Sequence, residues 1–188
     1  TKRYATVIFD ENARLQKQVE QVLQLSVLEK GTFSLKKKEI DLHRIIRKMA
    51  EHFSAQAQKK GGVINTRLDA DESNIIADKT HISNIIANLI DNALKYSPEN
   101  PEINIHTQNT DGRLLVSVED NGIGISAENQ KHIFKKLYRV PTGNIHDVKG
   151  FGLGLFYVKT MVEAHDGHVK LESAINKGTT ITIELNTI

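Results

Sequence analysis

The sequence has no cysteine and no tryptophan. Without cysteine there is no disulfide framework, no thiolate zinc site, no iron–sulfur cluster and no thiol nucleophile, which fits a reducing compartment. Proline is scarce, with three residues in 188, and no apolar run approaches the roughly 18 residues of a membrane span. Neither sign of charge dominates: 25 Lys and Arg stand against 23 Asp and Glu, a formal charge of +2. No global field would therefore recruit nucleic acid or an anionic membrane, and any polyanion bound must be small and locally held. The first stretch, TKRYATVIFDENARL, shows neither an initiator Met nor a signal-peptide pattern, so a piece of a longer protein is expected. What is present is an ordinary globular composition, 39% hydrophobic and 26% charged. It suits one packed domain plus an appendage and is too short for two full domains.

Along residues 3–28, Ile8, Leu15 and Val22 recur every seven positions with Val19 and Leu23 between them, the stripe of an amphipathic helix that calls for a partner helix. Gly31 ends it. A second helix opens near Asp41, a suitable N-cap, with Leu42, Ile45, Ile46, Met49 and Phe53 on one face, and stops at Gly61-Gly62. Strand and helix signals then alternate. Residues 63–68 read as a weak strand and 75–77 as a short apolar run, after which Asp78 caps a strong helix through Tyr96. Strands over 103–107 and 113–119 are joined by Asn109-Thr110-Asp111-Gly112, a hairpin turn. A polar stretch over 122–150 holds one short helix, predicted for 127–136 and capped by Ser126. A helix over 153–164, a stop at Gly167 and strands over 168–173 and 179–185 complete the chain.

Three stretches carry chemistry. In the helix ending at Tyr96, Ile82, Ile85, Ile86, Leu89 and Ala93 point one way, while Asn88, Asn92 and Lys95 share a neighbouring stripe. A solvated face would explain that stripe. Asn is a poor helix former, however, and Asn84, Asn88 and Asn92 each cost about a few tenths of a kcal/mol there. Their amide oxygens are neutral hard donors, suited to magnesium that keeps several waters and leans on phosphate oxygens. Next, Glu119-Asp120-Asn121-Gly122-Ile123-Gly124 stands at a strand end. It could be a plain turn, and D-x-G-x-G alone matches many chains by accident. Its chemical reading is a buried carboxylate that accepts from an exocyclic amine such as that of adenine, with glycines turning close under a planar base. Last, Gly150-Phe151-Gly152-Leu153-Gly154-Leu155 immediately precedes a helix. Read alone it could be a hinge, but alternating glycines there also offer N–H groups and the positive end of a helix dipole to phosphates. Neither a P-loop nor the Rossmann spacing is present.

In this order the pieces resemble the boxes of sensor histidine kinases. NLIDNALKYS (88–97) resembles the N box, DNGIG (120–124) the first glycine box, HIFKKLYR (132–139) the phenylalanine box and GFGLGL (150–155) the second glycine box. ENARLQKQVEQVLQLSVLEKG (11–31) resembles the second helix of the dimerisation and phosphotransfer domain, so the likeness covers essentially the whole chain. The resemblance implies an α+β chain with the Bergerat fold of gyrase, heat-shock chaperones and mismatch-repair ATPases, a two-layer α/β sandwich whose mixed sheet is covered by helices, preceded by a helical arm. Residues 1–30 would be part of the dimerisation hairpin without its acceptor helix, and 31–188 the ATP-binding catalytic domain with a lid at about 125–149. The implied cofactors are ATP or ADP and Mg. The implied activity is that of a protein histidine kinase, which passes the γ-phosphoryl to a histidine and onward to a response-regulator aspartate. Partners would be its own dimerisation domain, in a homodimer, and a response regulator. No nucleic acid and no membrane contact are expected of these residues, which would be the cytoplasmic part of a membrane-bound bacterial sensor. By position, Asn92 resembles the magnesium ligand, with Asn88 as second candidate, and Lys95 and Tyr96 lie near phosphates and base. Asp120 resembles the adenine reader, above a pocket floor shaped by Gly122 and Gly124. Gly150, Gly152 and Gly154, with Leu153 and Leu155, would receive the phosphates. Phe134 would anchor the lid, Thr180 in GTTITIEL resembles the threonine supporting the adenine pocket, and Arg139 is a candidate phosphate contact.

The family's acceptor motif, Ser-His-Glu-Leu-Arg-Thr-Pro-Leu, does not occur. None of His43, His52, His81, His106, His132, His146, His165 and His168 is followed by an acid and then Leu-Arg. No catalytic residue is therefore assigned within the 188 residues, which alone should be inactive in autophosphorylation. His165 and His168 straddle a helix stop with no third ligand near, so turn chemistry explains them better than a metal. Residues 69–73 begin like a calcium loop, but Asn74 and Thr80 replace its required Gly and Glu. Lys36, Lys37 and Lys38 read as a solvated charge run. A rival reading is an ATP-gated module of the gyrase or chaperone type. Those hydrolytic relatives place a glutamate four residues before the magnesium Asn, where this chain has Asn88, an amide that cannot serve as a base. A degenerate nucleotide-binding scaffold without turnover is a third reading, which the intact boxes oppose.

Overall fold

A computed structural model describes residues 34–97, 99–140 and 151–188. The arm expected over 1–30 and the part of the lid over 141–150, with Lys149 and Gly150, lie outside the described residues. Eleven elements follow in order among the described residues: β1 (Lys38–Asp41), α1 (Leu42–Lys59), β2 (Val63–Leu68), β3 (Asn74–Ala77), α2 (Lys79–Tyr96), β4 (Glu102–Thr110), β5 (Arg113–Asp120), α3 (Ala127–Gln130), α4 (Gly154–Ala164), β6 (His168–Ser173) and β7 (Thr179–Asn186). Both expected aspartate caps are in place. Asp41 accepts from Arg44 N at 3.2 Å, and Asp78 Oδ1 accepts from Thr80 N at 2.9 Å, each answering a first-turn donor that the helix leaves open.

The main sheet runs β2-β4-β5-β7-β6 and is mixed. β2 lies parallel to β4, which requires a crossover, and α2 supplies it; the other pairs are antiparallel. Between β4 and β5 the chain turns on Asp111 and Gly112, both at positive φ (51° and 72°), as a two-residue hairpin demands. β1 and β3 form a separate antiparallel pair. Period-two patterning sorts the faces of the main sheet. Ile103, Ile105, Leu114, Val116, Val118, Ile181 and Ile183 are buried beneath Ile45 and Ile46 of α1, Ile85, Ile86 and Leu89 of α2, and Val158 and Met161 of α4. Each such side chain contributes roughly 1.5–3 kcal/mol on burial. The opposite face is polar, with Ser117 and Thr182 bonded at 2.8 Å. One sheet layer and one helix layer make the α+β sandwich that the sequence led us to expect.

Two local readings change. The helix predicted for 127–136 ends after four residues and continues as linked turns, His132 N to Asn129 O and Lys135 N to His132 O, both 2.8 Å. Tertiary anchors outweigh helix propensity there: Gln130 Nε2 is held by Ile125 O and Ser173 O, Tyr138 Oη donates to Asn129 Oδ1 at 2.7 Å, and Ile133 is buried. The lysine run is also more than solvated charge. Lys36 N donates to Asp78 Oδ2 at 2.9 Å, Lys37 pairs with Asp166 at 3.2 Å, and Lys38 opens β1.

Candidate functional site

α2 and the start of α4 meet at Gly154. A Cβ on that residue would stand 2.9 Å from Asn88 Oδ1 and 3.6 Å from Asn92 Nδ2. A side chain there would crowd Asn88 Oδ1, and glycine leaves that space to the amides and the helix N-terminus. Asn88 is fixed in turn, its Nδ2 donating to Asn84 O at 2.8 Å. Leu153, the residue before α4, is buried and gives no side-chain cap. The first N–H groups of α4 therefore present the positive end of the dipole, which suits phosphate oxygens. Leu155 is half-buried. Lys95 is paired with Asp91 one turn back, and the half-buried Tyr96 lends its carbonyl to Ile123 N at 3.1 Å, so the Asp120–Gly124 loop caps the end of α2.

Asp120 ends β5 on the inner face and is buried. Its Oδ1 accepts from Gly122 N at 2.8 Å, and Thr179 N on the adjacent strand also donates to the carboxylate. Burial pushes the carboxyl up to about 6; the two N–H donors pull it down, and neighbouring Glu119 adds to the rise. A carboxylate offers about four lone-pair sites, so these two bonds leave capacity for a further donor. The loop is packed backbone to backbone. A Cβ on Gly122 would lie 2.4 Å from Tyr96 O, and one on Gly124 would lie 1.8 Å from Ala174 O in the β6–β7 turn.

Thr180 stands one residue beyond the cross-strand partner of Asp120. It pairs with Glu119 across β5–β7 and shares the outer face, whereas Thr179 pairs with Asp120 and bonds Ser173 Oγ at 2.9 Å. One residue along a strand reverses the face, and the buried odd-numbered series Ile181, Ile183 and Leu185 carried that parity. Sequence reasoning also passed over Ser173 and Gln130, which sit in no motif. Ser173 Oγ accepts from Ile125 N and donates to Gly178 O, both at 2.8 Å, while Gln130 bridges Ile125 O and Ser173 O.

At the lid, the two stems cross at Gly152, where a Cβ would be 2.3 Å from Tyr138 O. Phe134 is half-buried with Lys159 Nζ 5.9 Å from its ring centroid, and Arg139 is exposed nearby in the chain. Gly150 belongs to the residues not described. Among the described residues no group of three His, Cys, Asp or Glu side chains could hold a metal ion, and the Asn88 and Asn92 amides are the polar side chains that stand beside Gly154. His165 has no ring nitrogen to spare. Nε2 accepts from Asp78 N at 3.0 Å, and Nδ1 donates to Met161 O at 2.7 Å.

Residues 77–187 match the family described as histidine kinase-, DNA gyrase B- and HSP90-like ATPases. Over 181 residues, 95% of its length, the chain is 46% identical to sensor protein RprX of Bacteroides fragilis and covers 35% of that protein. With sensor histidine kinase WalK of Bacillus subtilis it is 32% identical over 185 residues, 97% of its length, and covers 30% of the relative. The chain thus spans about a third of these curated relatives. The solved full-length structure of ShkA in complex with AMPPNP superposes with a TM-score of 0.87 at 25% identity, over 100% of this chain and 39% of its own.

Proposed function

The chain belongs to the family of histidine kinase-, DNA gyrase B- and HSP90-like ATPases, as an ATP-binding catalytic domain of the sensor histidine kinase type, and from that premise we propose that it holds Mg-ATP for transfer of the γ-phosphoryl to a histidine on another helix. The observation that carries this is the convergence at Gly154, where two amides and a helix N-terminus share one space. Asp120 accepts from the adenine amine, and N–H groups around Gly152 and Gly154 orient the phosphates. Asn92 would hold magnesium, with Asn88 beside it; neutral amides leave the remaining positions to water and phosphate oxygens. Held there, magnesium would supply neutralisation of the charge on the phosphate oxygens. Because Asn88 is an amide and its Nδ2 is tied to Asn84 O, no base stands there to activate water, which keeps the nucleotide for an imidazole acceptor. In the whole protein the phosphoryl group then passes to a response-regulator aspartate, within a homodimer joined by the dimerisation hairpin.

Calorimetry with ADP across a magnesium titration tests the site. The unmutated chain should bind more tightly as magnesium rises, and Asn92→Ala should keep only the magnesium-independent part. Equal affinity for ATP and GTP, or an Asn92→Ala curve that tracks the parent at every magnesium concentration, would overturn the assignment.

A further inference from the structure

Asn84 is the third asparagine of the α2 stripe, one turn short of the amides that face Gly154. Its side chain reaches α4 instead: Asn84 Nδ2 donates to Tyr157 Oη at 3.4 Å, and the same oxygen lies 2.8 Å from His81 Nδ1. Tyr157 is buried, and burial pushes its pKa up, so the hydroxyl keeps its proton. With Asn84 donating to the oxygen, that proton is left for His81 Nδ1, and α2 answers both polar functions of the hydroxyl. Among the described residues these are the side-chain hydrogen bonds that join α2 to α4. Tyr157 follows Gly154 by three residues and Asn84 precedes Asn88 by four, so the contact stands one turn from the place where Gly154 meets Asn88 Oδ1. Asn84 also anchors Asn88, whose Nδ2 donates to its carbonyl at 2.8 Å.

We propose that Tyr157 is a positioning residue of the nucleotide site, its hydroxyl setting where the N-terminus of α4 stands against the Asn88 and Asn92 amides. The inference rests on the reading of those amides as magnesium donors and of the first α4 N–H groups as phosphate donors. The two donor sets belong to different helices. Apolar packing between helices is non-directional and tolerates sliding, whereas a hydrogen bond weakens steeply as its angle is lost. A buried hydroxyl gripped by two residues of α2 therefore fixes α4 along its axis. Phosphates seated on α4 would follow that helix, but the amides stay with α2, so the part of binding that needs both helices, the magnesium-dependent part, is the part sensitive to the hydroxyl. Phenylalanine at 157 would keep the apolar contact and lose the register.

The test is calorimetry with ADP, in EDTA and in excess magnesium, on the unmutated chain, Tyr157→Phe, Asn84→Ala and the double variant. Tyr157→Phe should lose roughly threefold to tenfold of the affinity gained from magnesium, the size of one net hydrogen bond, and keep the parent's ADP affinity in EDTA. Asn84→Ala should lose less of the same gain, and the double variant no more than Tyr157→Phe, since both changes cut one contact. Melting should fall little in each, because His81 and Asn84 are half-exposed and turn to water once freed. Equal losses in EDTA and in magnesium would mean a general loosening of the helix pair and overturn the proposal, as would an unchanged magnesium gain in Tyr157→Phe or additive losses in the double variant. Should Tyr157→Phe fail to fold, Asn84→Ala carries the same comparison: a loss confined to magnesium supports the proposal, and an equal loss or none overturns it. A parent whose ADP affinity ignores magnesium would instead remove the reading of the amides, and the proposal with it.

Discussion

Gly178 is pressed against Asp120: a methyl group on Gly178 would stand 1.8 Å from the Asp120 carbonyl oxygen. The residue also lies at φ +83°, in the left-handed region. Gly178→Ala therefore meets a conformational penalty of about 1–2 kcal/mol plus the displacement of the β5 end. The variant should melt lower and bind ADP more weakly, because the moved backbone carries the Asp120 carboxylate with it. An alanine variant with the parent's melting temperature and ADP affinity would show that the turn does not set the pocket.

Thr179 and Thr180 separate what the sequence made legible from what it did not. The motif GTT offers two neighbouring hydroxyls, and resemblance alone favours Thr180. Yet Ile181, Ile183 and Leu185 are the buried partners of the helices, and the two-residue period then turns Thr179 inward and Thr180 outward. The parity could be read; the choice of motif position overrode it. Asp41, Asp78 and the Asp111-Gly112 turn were legible because caps and hairpins are local chemistry. Ser173 and Gln130 were not, since their roles exist only when distant backbone arrives: Ile125 N at Ser173 Oγ and Ser173 O at Gln130 Nε2.

From this register, Thr179→Val should weaken ADP binding, because the Ser173 bond that steadies the strand beside Asp120 is lost. Thr180→Val should leave ADP affinity within about twofold, a surface change worth less than roughly 0.5 kcal/mol. Titrations of both variants decide the matter, and the opposite ranking would return Thr180 to the pocket.

His165 ties the C-terminal end of α4 to the cap of α2 through Asp78 N. Burial lowers its pKa below the ordinary 6.5, so the folded state holds it neutral. Just below 6.5 the unfolded chain binds a proton that the folded chain does not, and the stabilising contribution is lost as pH falls through that window. His165→Ala should cost about 1–3 kcal/mol by leaving Asp78 N without its acceptor, and should flatten that part of the profile. Denaturant melts from neutral to mildly acidic pH that are parallel for parent and variant would refute the coupling.

Asp120 has the opposite sign. Its folded carboxyl is raised from 3.8 to about 6, so between those values the empty folded state keeps a proton that the unfolded chain has lost. The stability it lends is present at low pH and disappears as pH rises through about 6. Nucleotide reverses the preference, since the adenine amine needs the ionised acceptor. ADP affinity should fall as pH drops through about 6, with a proton taken up on release, and Asp120→Asn should be weaker and nearly flat. Equal ADP affinity at about pH 5 and about pH 8 would mean that the carboxylate is not the acceptor.

The 188 residues alone, mixed with labelled ATP and magnesium, should neither label themselves nor hydrolyse ATP at a useful rate. Phosphoryl transfer depends on an acceptor placed in line with the γ-phosphoryl, and little of its barrier is removed without that placement. The described histidines are committed elsewhere or lie apart from any acceptor motif. His43 is bonded to Thr107 at 2.9 Å, His81 to Tyr157 at 2.8 Å, His106 to Asp69 at 3.2 Å, and His165 is closed at both nitrogens. Water fares no better, because the residue one turn before Asn92 is Asn88 rather than an acid. An acceptor hairpin helix, added in cis by a longer chain or in trans as a separate dimerisation domain, should gain acid-labile phosphohistidine, and Asn92→Ala should slow that labelling. Acid-labile label on any of the eight histidines, with no acceptor helix added, would transfer the catalytic role into this chain and undo the assignment of Asn88, Asn92 and Gly154 as a site that only presents the nucleotide.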